Sequence, residues 1–113
     1  MAIQKWSDDT LVVRVVDDPQ LSEDFAEVND RLGPGGTCCD VVLDLADLTL
    51  LTSSGLSKLL RLRKRQIEAN RRLVLSGPSD QVWGVFLATG LDALFEFART
   101  VTEALTRLQS GKA

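Results

Sequence analysis

The stretch Val41-Val42-Leu43-Asp44-Leu45-Ala46-Asp47-Leu48-Thr49-Leu50-Leu51-Thr52-Ser53-Ser54-Gly55-Leu56 constrains the fold of this chain more than any other. It opens as an unbroken apolar run, the pattern of a strand buried on both faces. It then passes through Thr-Ser-Ser-Gly into a helical pattern at Leu56, Leu59 and Leu60. Small hydroxyl residues therefore stand where a strand delivers the chain to a helix N-terminus, with its unsatisfied N–H groups and positive dipole end. A hydroxyl there either caps the helix or stands ready to accept a phosphoryl group.

The rest of the chain alternates in the same way. Residues 10–16 are rich in β-branched side chains and read as a strand, with Trp6 closing a shorter one before it. Asp17-Asp18-Pro19 breaks the pattern, and residues 21–32 read as a helix with apolar positions at 21, 25, 28 and 32. Gly33-Pro34-Gly35-Gly36-Thr37 turns the chain into the buried strand, residues 39–45. A helix over residues 54–69 follows, with Asn70 placed to stop it in the left-handed conformation. Leu73-Val74-Leu75 is a short strand, and Ser79 and Gly90 bracket a helix carrying Val82, Val85, Phe86 and Thr89. Residues 94–98 alternate like a last strand, and residues 100–109 form an amphipathic helix with Val101, Ala104, Leu105 and Leu108. Crossovers this short predict an α/β fold: a four- to five-stranded, mostly parallel sheet with about four helices, residues 41–45 at its centre. The 113 residues, 44% of them hydrophobic and 26% charged, suit one globular domain spanning residues 1–113.

Charge is distributed unevenly. Eleven acidic and three basic residues precede Leu48, whereas five acidic and ten basic residues lie from Leu48 onward. Seven of the 13 basic residues fall between Lys58 and Arg72, so a partner surface is expected on the helix after the Ser-Ser-Gly turn. No aromatic residue lies among those cations to stack on bases, and the net charge is −3, so nucleic acid is not the expected partner. Lys58, Arg61 and Arg65 fall at i, i+3 and i+7 and are expected to form an exposed basic stripe. Leu56, Leu59, Leu60 and Ile67 are expected to turn inward.

Several chemistries are excluded. The chain has no histidine, so it cannot assemble a Ser-His or Cys-His nucleophile pair. Glycine-rich residues 33–36 are followed by no lysine of a phosphate loop. Adjacent Cys38 and Cys39 suit reduced side chains leading into a strand better than a disulfide or zinc site. Asp44 and Asp47 read as turn residues bonding local backbone. No catalytic residue, metal or cofactor is expected. No apolar run approaches a membrane span, and no signal peptide opens the chain, so a cytoplasmic protein is expected.

Four segments in register resemble the STAS domain of anti-sigma factor antagonists over about residues 8–108. The family pattern is an apolar strand ending in Asp, a loop, then Asp-Ser-Ser/Thr-Gly-Leu opening a helix. Here it reads Val42-Leu43-Asp44-Leu45 and then Leu51-Thr52-Ser53-Ser54-Gly55-Leu56. Arg72-Leu73-Val74-Leu75-Ser76-Gly77, Thr89-Gly90-Leu91-Asp92-Ala93-Leu94-Phe95 and Thr102-Glu103-Ala104-Leu105 are similar to the family's later elements. The resemblance implies a transcription-regulating phosphoprotein of bacterial signalling, a monomer or weak dimer without enzymatic activity. In that cycle the unphosphorylated protein binds an anti-sigma factor serine kinase. Phosphorylation at the position of Ser53, with Ser54 and Thr52 as neighbours, ends binding, and a phosphatase resets it. Thr49, Thr52, Ser53, Ser54, Gly55, Ser57, Lys58, Arg61 and Arg65 would form the partner surface. Two departures stand out. Thr52 replaces the family Asp, and Asp17-Asp18-Pro19-Gln20 replaces a Gly-Glu-Leu-Asp segment. They leave open a divergent partner, acceptance at Thr52, or the alternative of an adaptor subunit of a transport or signalling assembly that needs no phosphate, which the missing Asp fits.

Overall fold

The structure is a computed structural model that describes residues 3–7, 9–17, 20–32 and 39–110. In chain order its elements are β1 (Ile3–Ser7), β2 (Thr10–Arg14), α1 (Gln20–Leu32), β3 (Asp40–Asp44) and α2 (Ser53–Glu68). There follow β4 (Leu73–Ser76), α3 (Asp80–Thr89), a 3-10 turn (Leu91–Ala93), β5 (Glu96–Ala98) and α4 (Val101–Ser110). The strands form one sheet in the order β1-β2-β3-β4-β5. Only β1 runs antiparallel to its neighbour; β2, β3, β4 and β5 are parallel. β3 is thus the central strand, as its unbroken apolar run predicts.

That run is explained by two cores. Val41, Leu43 and Leu45 face Leu21, Phe25 and Val28 of α1, Leu59 and Leu62 of α2, and Val82 and Phe86 of α3. Val42 faces the other way, into a smaller core of Val74, Ala98, Ala104 and Leu108 beneath α4. Three helices cover one face of the sheet and one covers the other, so successive side chains of β3 are buried from Asp40 to Leu43, and Asp44 at its end is half-buried. An edge-to-face cluster of Trp83, Phe86, Phe95 and Phe97 fills the β4–β5 end of the larger core.

The expected punctuation is found at several positions. Asn70 sits at φ 56°, ending α2. Ser79 Oγ accepts from the Val82 amide at 3.3 Å, and Gly90 closes α3 at φ 74°. The breaks expected at Asp18-Pro19 and at residues 33–37, and Cys38, lie outside the described residues. Cys39 is buried at the head of β3.

Three expectations need correction. β2 ends at Arg14 rather than residue 16, although Val15 N still donates to Asp44 O at 2.9 Å. The last strand begins at Glu96 rather than residue 94. After the left-handed Gly90 the chain makes a 3-10 turn, and Leu94 N closes it on Leu91 O at 3.0 Å. Leu60 and Ile67 of α2 are not buried but 37% and 55% exposed. The inward stripe is Gly55, Leu59, Leu62 and Gln66, which follows the helical period of i, i+4, i+7 and i+11. Leu56, half-buried, lies with Leu60 and Ile67 on a flank of that stripe.

Candidate protein-binding site at the start of α2

Parallel pairing places the loop after β2 beside the loop after β3, because Arg14 is in register with Asp44. The β3–α2 connection then crosses the carboxyl end of the sheet, where open α/β folds build their sites. Leu45, Leu48 and Leu51 anchor this connection in the core, leaving Thr49 and Leu50 exposed between them. Local polar bonds shape it further. Asp44 Oδ1 accepts from the Ala46 amide at 3.1 Å, the turn role its sequence position suggests. Asp47 pairs instead with Arg14, across to the neighbouring strand.

Asp17 is the main tie on this loop. Its carboxylate accepts from the Thr49 amide at 2.8 Å, the Leu50 amide at 3.2 Å and the Thr49 hydroxyl. The Thr49 hydroxyl bond first, then the two amide bonds, hold the Asp17 carboxyl below the usual carboxylate range. From the sequence Asp17 reads as part of a strand-breaking Asp-Asp-Pro and of the segment that replaces the family's Gly-Glu-Leu-Asp. The findable signal was topological, since an acid just past β2 sits next to whatever follows β3 once the two strands pair in parallel.

The three consecutive hydroxyl residues have separate roles. Thr52 is the N-cap, with extended backbone (φ −88°, ψ 167°), and its Oγ1 accepts from Gly55 N at 3.1 Å. The cap is therefore neither serine. Ser54 Oγ accepts from Lys58 Nζ at 3.0 Å. Ser53, the first residue of the helix, is exposed, and its hydroxyl bonds to no described residue. Gly55 is buried rather than on the surface, because a Cβ there would come within 3.1 Å of Leu51 Cδ1 and 3.7 Å of Leu21 Cδ1. Its role is close packing of α2 against α1 and the loop.

Of the other expected surface residues, Thr49, Ser57 and Arg61 are exposed, and Lys58 and Arg65 are half-buried along the same side of α2. The basic stripe thus continues from the hydroxyl cluster down the helix. Among the described residues no three His, Cys, Asp or Glu side chains gather as a metal site, and no helix is long and apolar enough to cross a membrane. The arrangement presents an accessible hydroxyl at a capped helix start, with the cations of α2 beginning about one turn on at Lys58.

The chain is similar in structure to the anti-sigma factor antagonist SpoIIAA in its unphosphorylated form, with a TM-score of 0.81 and 22% identity over 96% of this chain and 95% of that one. It is also similar to a Thermotoga maritima protein assigned as an anti-sigma factor antagonist, with a TM-score of 0.77 and 20% identity over 93% and 92% of the two chains. A serine-to-glutamate variant of RsbS from Moorella thermoacetica aligns over the whole of both chains, with a TM-score of 0.76 and 19% identity. No curated protein matches the sequence significantly. These likenesses show the fold, while the STAS domain pattern itself matches residues 3–104, nearly the whole of the sequence, so the chain belongs to the STAS domain family.

Proposed function

We propose that this STAS domain is an anti-sigma factor antagonist, a protein-binding module switched by phosphorylation of Ser53. Its unmodified α2 start contacts an anti-sigma factor serine kinase. Transfer of the γ-phosphoryl group of ATP to Ser53 Oγ, with loss of the hydroxyl proton and departure of ADP, ends that contact. A phosphatase restores it. The observation that carries this reading is the division of labour among three hydroxyls. Thr52 caps the helix and Ser54 meets Lys58, which leaves Ser53 exposed, its hydroxyl bonded to no described residue. Phosphorylation adds about −1.5 to −2 charge. On a surface fitted to a hydroxyl, that charge costs desolvation and repels acidic partner groups. The solved relatives support the reading, since one is described in an unphosphorylated form and another carries an acidic replacement of a serine.

Thr52 favours a second reading, an adaptor that binds without being modified. Its neutral hydroxyl satisfies the cap, and the position lacks the carboxylate the family places beside the acceptor. Incubation with ATP and a cognate anti-sigma factor kinase separates the two. The switch is expected to add one phosphoryl group, located on Ser53 by fragmentation mass spectrometry. Absence of phosphate from residues 52–54 would overturn the switch and favour the adaptor.

A further inference from the structure

The exposed flank of α2 opposite the basic stripe has no role in the switch. Leu56, Leu60, Arg63 and Ile67 follow one another at i, i+4, i+7 and i+11 and so form a single line along the helix. Leu60 and Ile67 are 37% and 55% exposed, high values for large apolar side chains on one helix flank. Arg63 Nε donates to Leu94 O at 2.9 Å, which ties this flank to the segment entering β5. Leu94 is itself 44% exposed. At the C-terminal end of the line a groove of about 210 Å³ opens, with Ile67, Leu94 and Phe95 on its apolar walls and Arg63 and Arg71 at its rim.

The charges around this groove are one-sided. Arg63 and Arg71 line it, Lys64 is exposed next to Arg63 in the chain, and Glu96, the acid in its wall, is held by Arg72 in an ion pair. A two-fold contact between copies of the chain would set these cations against themselves, which disfavours self-association through this face. An occupant that places apolar side chains on Leu60, Ile67 and Leu94, and carboxylates beside the arginines, complements both features. The groove also lies at the far end of α2 from Ser53. Fourteen residues separate Ser53 from Ile67, or about 21 Å at 1.5 Å per residue.

We propose that this flank is a second docking surface, which takes an acidic amphipathic helical segment of a protein partner independently of the state of Ser53. The probe is a phage-displayed library of random peptides about as long as α2, 16 residues, selected on the intact chain. Selected peptides are counter-screened on an Ile67→Glu/Leu94→Glu variant and on a Lys64→Glu/Arg71→Glu variant. All four positions are exposed or half-exposed, and circular dichroism checks that each variant keeps its fold. The expected peptides are acidic, with apolar residues at i and i+4. Each variant should weaken them about tenfold or more, and salt should weaken them on the parent. Their amide shift changes should centre on Leu60, Ile67 and Leu94 and leave Ser53 unmoved. Neutral or basic winners, equal binding to the variants, shifts centred on Ser53, or a parent dimer broken by Ile67→Glu would each overturn the proposal. The kinase experiment on Ser53 is unaffected by any of these outcomes, so the two readings fail separately.

Discussion

The two ends of α2 are held in different ways. At the C-terminal end the fastening is largely buried. Gln66 is 3% exposed, and its Nε2 donates to Cys39 O at 2.8 Å and Arg72 O at 2.9 Å, joining the helix to the starts of β3 and β4. Asp40, equally buried, accepts from the Arg72 amide at 2.9 Å, and Arg72 continues to Glu96 of β5. At the N-terminal end the ties are a capping threonine and a carboxylate at the surface, both reachable by water. Buried polar bonds are costly to break and so fix a frame. Surface bonds hold a loop in shape at little cost to the global fold, which leaves that end free to present a modifiable serine.

The largest effect is expected from Gln66→Leu. Two hydrogen bonds of a buried side chain, about 1 kcal/mol each, are lost, about 2 kcal/mol together, although Arg72 O keeps its bond from the Val41 amide at 3.0 Å. Urea unfolding should show a lower midpoint with an unchanged slope. A midpoint equal to the parent's would mean that the buried end is no firmer than the exposed one, and the contrast would fail.

Thr52→Ala should cost less, about 1 kcal/mol, the usual value of an N-cap. Amide exchange should quicken in the first turn of α2 and stay unchanged around Gln66. Equal quickening along the whole helix would show that the two ends are not separable.

Reversing Arg61 and Arg65 to Glu should leave the unfolding midpoint nearly unchanged. It should slow association with an acidic partner at low salt by about tenfold and flatten the salt dependence. Association rates equal to the parent's would reduce the stripe to a solvated face.

The smallest effect belongs to Asp17. Its folded carboxyl is held low by the Thr49 and Leu50 bonds. The stability it lends the loop is therefore present above the unfolded carboxylate value, about pH 3.9, and is lost as pH falls through the lower folded value. Acid should quicken exchange of the Thr49 and Leu50 amides before the core opens. Asp17→Ala, which removes the acceptor, should give the same quickening at neutral pH. If Asp17→Ala left both amides protected, the loop would be held by its buried leucines alone.

Much of this frame could be read from residue order. β3 was legible because both its faces are buried, so every side chain carries the signal. Asn70, Ser79 and Gly90 were legible because caps and stops act within a few residues. The inward face of α2 was less so. The helix has more large apolar residues than one face can bury, and the fold chose Gly55, Leu59, Leu62 and Gln66 over Leu60 and Ile67. A glutamine within a basic helix reads as surface until β3 and β4 bring two carbonyls to it. The candidate serine was legible by register, but which hydroxyl caps the helix was not, since Thr52, Ser53 and Ser54 all suit the task by type. Asp17 was hidden because its partners lie 32 and 33 residues away.

The most direct test of the switch is the affinity of a cognate anti-sigma factor kinase for the parent, Ser53→Ala and Ser53→Asp, measured by titration calorimetry. Ser53→Ala should bind within a few-fold of the parent, and Ser53→Asp at least about tenfold more weakly, because only the second puts charge into the contact. Equal affinity of all three proteins would contradict a contact centred on Ser53.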